Sequence, residues 1–127
     1  MNAKCVAVVD DEAAVRVALR RLLCLAGYTA VTCSSGEEFI DSLAHRRPDC
    51  VLLDVHMAGL TGLEVQARLQ AEGIALPVVF ITASDNPEVA RSALEAGGLR
   101  VLRKPFSNAE LLAAIEFALE PAAPAAR

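Results

Sequence analysis

The chain has 127 residues, enough for one ordinary domain, with a hydrophobic fraction of 54% and a mean hydropathy of +0.40. Its apolar runs break at acids, glycines or prolines well short of membrane-spanning length, so the apolar excess is core and no membrane span is expected. A net charge of −4 argues against the clustered Lys and Arg that duplex binding requires, and no direct nucleic-acid binding is expected of this chain.

The elements follow in chain order. Met1 to Val9 carry one Lys and pass into a β-branched run without a small-residue cleavage site, which argues against a secretory signal and for a cytoplasmic protein. CVAVV (Cys5 to Val9) reads as a strand, and Val15, Ala18, Leu19 and Leu22 then recur at helical spacing up to Gly27. TAVTC (Thr29 to Cys33) is a second strand, followed by a helix from Ser35 whose first turn holds Glu37 and Glu38, where negative charge suits the helix dipole. CVLL (Cys50 to Leu53) leads to a helix opened by a Thr61/Glu64 capping box and ending near Gly73. PVVFI (Pro77 to Ile81) precedes a helix with Asn86 before Pro87, closed by Gly97 and Gly98. LRVL (Leu99 to Leu102) precedes a helix with a Ser107/Glu110 capping box that runs to Leu119. Pro121 to Arg127 (PAAPAAR) reads as a tail or the start of a linker after a domain over residues 1–120.

Three of the five strands do not alternate with polar residues, as expected of strands covered on both faces. Five strand-helix units with right-handed crossovers predict a flavodoxin-like (βα)5 α/β fold, a doubly wound parallel sheet in the order 2-1-3-4-5. Cys5, Cys24, Cys33 and Cys50 show no CxxC spacing and sit in apolar segments, so they read as buried reduced thiols.

In that topology the carboxyl ends of the strands carry the chemistry. Asp10 and Asp11 follow the first strand, Asp54 the third, Thr82 the fourth and Lys104 the fifth, while the second, an edge strand, supplies no charge. One Asp would suffice to cap the first helix; two, matched by Asp54 and Lys104, point elsewhere. Three carboxylates in one pocket repel unless a cation lies among them. All-oxygen ligands without His or Cys favour magnesium, or a similar ion such as manganese, over zinc. Metal, ammonium and hydroxyl around one carboxylate suit a phosphoryl group. Asp54 is then a nucleophile forming an acyl phosphate, with Asp10 and Asp11 holding the metal, Lys104 neutralising the transferring oxygens and Thr82 moving toward the phosphoryl group.

With VVDDE (Val8 to Glu12), LLDVHM around Asp54, GLTGLEV (Gly59 to Val65), ITA (Ile81 to Ala83) and KPF (Lys104 to Phe106), the chain resembles the receiver domains of bacterial two-component response regulators over residues 4 to 119. AGY followed by SSGEEF is most similar to receivers that precede helix-turn-helix output domains. The resemblance implies phosphorylation of Asp54, direct magnesium binding by Asp11, a water-mediated role for Asp10, and the His56 backbone carbonyl as a further ligand. It also implies a cis peptide before Pro105, a sensor histidine kinase as phosphodonor, and an output surface on the fourth helix, fifth strand and fifth helix. It allows an attached output domain or a partner protein controlling transcription, and a homodimer on phosphorylation.

Three positions depart from the family pattern. Val101 stands where a switch aromatic is usual, Ala58 where Pro is usual, which predicts a freer loop, and His56 is an uncommon neighbour of the acceptor, expected to tune the phosphoryl lifetime. Two enzyme or cofactor readings fit less well. Aspartyl phosphatases carry D-x-D and a cap insertion, and a flavin phosphate would be repelled by Asp10 to Glu12. A phosphorylation-independent protein-binding module on the same scaffold remains the alternative.

Overall fold

The computed structural model describes residues 3–121. Five strands, β1 (Cys5–Val9), β2 (Thr29–Cys33), β3 (Cys50–Asp54), β4 (Val78–Thr82) and β5 (Arg100–Arg103), alternate with α1 (Ala13–Leu25), α2 (Gly36–Ser42), α3 (Gly62–Ala71), α4 (Pro87–Glu95) and α5 (Asn108–Leu119). All strand pairs are parallel and the order is β2-β1-β3-β4-β5, the predicted flavodoxin-like arrangement. The expectation for the Pro/Ala tail after Pro121 concerns residues outside those described.

Side chains on successive strand positions point to opposite faces, and both faces are buried. On β1, Val6 and Val8 join Leu19 and Leu23 of α1 and Leu111 and Ile115 of α5. Ala7 and Val9 turn the other way, toward Phe39 of α2, Val65 and Leu69 of α3 and Ala93 of α4. β1, β3 and β4 are buried along their whole length, which is why their sequences do not alternate. Fully burying side chains such as Phe39, Phe80, Leu52 and Ile115 contributes roughly 1.5–3 kcal/mol each before entropy is counted.

The helix ends use the chemistry their sequences offer. Ser35 accepts from the Glu38 N–H, both predicted capping boxes close, and Asn86 accepts from the Glu88 N–H ahead of Pro87. Only α1 lacks a side-chain cap: its N-cap is Glu12, so neither Asp10 nor Asp11 caps it.

Two boundaries differ from the sequence reading in a way that bears on function. β3 and β4 each run one residue past the apolar run, through Asp54 and Thr82. Parallel pairing uses backbone groups alone, so the ladder continues into the polar residues: the Val55 N–H donates to the Ile81 carbonyl (2.9 Å) and the Lys104 N–H to the Thr82 carbonyl (2.8 Å). Asp54 and Thr82 therefore stand on the sheet itself.

Three of the four thiols are buried as expected, and burial pushes Cys33 up to about 11 and Cys50 up to about 12. Cys24 is the correction. One position past the inward-facing Leu23, the helical turn of about 100° per residue carries it to the exposed side of α1. Among the described residues no helix is long and apolar enough to cross a membrane.

Candidate functional site

The fold gathers the strand-end residues on one rim of the sheet, and burial decides their character. Asp10 (1% exposed), Asp54 (4%) and Thr82 (2%) are buried polar residues, whereas Asp11 is exposed. One carboxylate oxygen from each of Asp10, Asp11 and Asp54 lies within 4.8 Å of the others. Adjacent β1 and β3 deliver them, since the two strands share a register in which Val9 faces Leu53, one residue before Asp10 and Asp54 respectively.

Lys104 crosses from the end of β5 into this group. Its Nζ donates to Asp10 Oδ2 at 3.0 Å and Glu12 Oε1 at 3.3 Å, and lies 3.9 Å from Asp54 Oδ2. The tighter ion pair is thus with Asp10, and Asp54 is its looser neighbour. The Lys104–Pro105 peptide is cis.

The electrostatics of Asp54 follow from its surroundings. The carboxyl is raised from 3.8 to about 6, pushed up chiefly by burial and then by the Asp10 charge, with Lys104 and the His56 N–H holding it down only in part. That N–H donates to Asp54 Oδ1 at 3.4 Å, while the His56 side chain is exposed. Burial pulls the Lys104 ammonium down, but its hydrogen bond to Asp10 and the charges of Asp54 and Asp10 outweigh it, leaving the group above 10.5 and charged.

These residues suit a hard divalent cation. The donor set is all oxygen, its atoms converge, and a buried carboxylate with a raised pKa carries repulsion that a cation would relieve. Thr82 accepts from the Ser84 N–H at 3.0 Å, which leaves its own O–H to donate. Val101 does not join the carboxylates. It is half-buried, pairs with Phe80 and packs against the core cluster that includes Phe80 and Ala93 of α4.

Five supporting contacts had no place in the sequence reading. Glu12 is a second partner of Lys104, and its only signal was a third acid after Asp10 and Asp11. Arg16 Nη1 donates to the Asp10 carbonyl at 2.8 Å. Gly62 opens α3 so close to β3 that an added Cβ would strike the Asp54 carbonyl oxygen and come within 3.0 Å of Val55 Cα. The loop between β3 and α3 is tied twice, with the Ala58 N–H donating to Asp11 Oδ2 (3.2 Å) and the Leu60 N–H to Glu37 Oε2 (3.3 Å). Ala58 thus keeps the amide hydrogen that a proline would lack, and that hydrogen is engaged by Asp11.

The chain is similar in sequence and fold to known proteins. Residues 6–116 match the family model of the response regulator receiver domain. The chain is 43% identical over 117 residues to the response regulator MprA of Mycobacterium sp. strain KMS, covering 92% of this chain and 51% of that one. It thus spans about half the length of the curated relatives it matches. A response regulator receiver protein from Burkholderia phymatum is 48% identical with a TM-score of 0.83, covering 96% of this chain and 99% of that one. The chemotaxis protein CheY4 of Vibrio cholerae is 29% identical with a TM-score of 0.84, covering 93% of this chain and 100% of that one.

Proposed function

The chain belongs to the response regulator receiver domain family, and on that premise we propose that it is the phosphoacceptor switch of a two-component phosphorelay, taking a phosphoryl group onto Asp54 from a sensor histidine kinase. The observation that supports this reading is the placement of Asp54. It is 4% exposed and anchored in β3, yet ends on the rim beside two further carboxylates and an ammonium.

In the transfer an Asp54 carboxylate oxygen bonds to phosphorus while the bond from phosphorus to the donor nitrogen breaks, its electron pair leaving with the donor imidazole. Water later attacks phosphorus, returning the carboxylate and inorganic phosphate. Phosphoryl transfer asks mainly for positioning and charge neutralisation. Lys104 supplies a fixed positive charge to the transferring oxygens, and Thr82 donates its hydroxyl to one of them once it arrives. Asp11 directly, Asp10 through water, Asp54 and the His56 carbonyl would hold magnesium, which would supply charge neutralisation for the phosphoryl oxygens during transfer. His56, two residues past the acceptor and exposed, tunes the lifetime of the acyl phosphate.

Output follows from movement of Thr82 toward the phosphoryl group, read on the face of α4, β5 and α5. There Leu94 and Phe117 are exposed and Val101 replaces an aromatic switch residue. An output domain or partner protein controlling transcription, or a second copy of the chain, would read that face in the cytoplasm.

The test is intact mass after incubation with magnesium and acetyl phosphate, comparing the chain with Asp54→Asn. A magnesium-dependent gain of one phosphoryl group in the first and none in the second is expected. Equal gain in both would assign the acceptor to another residue, and no gain with acetyl phosphate or a panel of kinases would favour a phosphorylation-independent binding module.

A further inference from the structure

The loop from Val55 to Thr61 has to pass close to the carboxylates, and its amides are where this chain differs from a proline-bearing loop. Asp11 is the exposed member of the acidic group, at the start of the β1–α1 connection, with nothing in its own segment to hold its carboxylate still. Its one hydrogen bond among the described residues comes from the Ala58 N–H, 47 positions away in sequence, at 3.2 Å to Oδ2. Only one oxygen is engaged. A hydrogen bond to one oxygen sets the orientation of the whole carboxylate, and a carboxylate oxygen of Asp11 lies within 4.8 Å of those of Asp10 and Asp54.

We propose that the Ala58 backbone N–H is a positioning group for the cation site, fixing Asp11 through Oδ2 so that its carboxylate is presented to a divalent ion. The inference rests on the magnesium-binding reading of the acidic group given above. Hydrogen-bonded partners of metal-binding carboxylates commonly set affinity by ten- to a hundredfold; for an exposed carboxylate the lower end applies. The Glu37 contact to the Leu60 N–H holds the same loop from the other side, so Ala58 is presented on a loop anchored at two points.

Backbone donors are removed by proline and kept by glycine. Ala58 has no positive φ, so a proline is not barred by φ sign there, and Ala58→Gly serves as the variant that keeps the hydrogen. Magnesium is titrated calorimetrically into the chain, Ala58→Pro, Ala58→Gly and Asp11→Ala, without phosphodonor, and urea unfolding in EDTA checks that each variant is folded. The expected result is a magnesium Kd raised about tenfold in Ala58→Pro, within about twofold of the parent in Ala58→Gly, and lost in Asp11→Ala. The Ala58 amide should also lose hydrogen-exchange protection in Asp11→Ala. Equal Kd values in Ala58→Pro and the parent, alongside Asp11-dependent binding, would overturn the positioning role and leave the magnesium site standing. No magnesium binding by the parent chain would overturn both.

Discussion

Replacing Asp54 by Asn should stabilise the magnesium-free fold. In the folded chain the Asp54 carboxyl is pushed from 3.8 up to about 6, and at roughly 1.4 kcal/mol per tenfold change in proton affinity its ionised form costs up to about 3 kcal/mol. Asn removes that charge, but its NH2 replaces an oxygen facing Lys104, so a gain of about 2 kcal/mol is expected, or roughly 6–10 °C in Tm for a domain of this size. The sign in pH follows from tighter proton binding in the folded state. The cost is absent below the unfolded value, grows as pH rises from 3.8, and is complete above about 6. Urea unfolding of both proteins in EDTA should therefore show the full gain at pH 7.5 and most of it gone at pH 4. Magnesium at pH 7.5 should stabilise the parent chain more than the variant, by binding the folded state. If Asp54→Asn is no more stable than the parent at pH 7.5, or its advantage is the same at pH 4, burial of the charge is not what sets the energetics of this site.

Lys104→Met leaves Asp10 and Asp54 without their cation; because Lys104 itself is 19% exposed, the loss at pH 7.5 in EDTA should fall near the low end for a broken buried pair, about 2–3 kcal/mol by urea unfolding. A loss below about 0.5 kcal/mol would show that solvent already screens the pair. Gly62→Ala sets a Cβ against the Asp54 carbonyl oxygen and should cost about 2 kcal/mol or more, with an unchanged unfolding midpoint refuting the close approach of α3 to β3.

Much of this was legible in the chain itself. The uninterrupted runs CVAVV, CVLL and PVVFI demand strands buried on both faces, and the capping boxes at Thr61 and Ser107 mark helix starts through bonds confined to four residues. Strand order followed, because right-handed crossovers leave few ways to wind five such units, and with it the shared rim of Asp10, Asp11, Asp54 and Lys104. Periodicity and capping are local, so the sequence by itself determined them.

What it left open depends on distances between segments far apart in sequence. Nothing local ties Lys104 more closely to Asp10 and Glu12 than to Asp54, engages the Ala58 amide with Asp11, or makes Gly62 necessary where α3 meets Asp54. The exposure of Cys24 turned on one position of helical phase, and the sheet membership of Asp54 and Thr82 on backbone bonds to neighbouring strands. Tertiary structure decided these because they arise only when the packed sheet sets separate strand ends and loops a few ångströms apart, where burial and charge then act at short range.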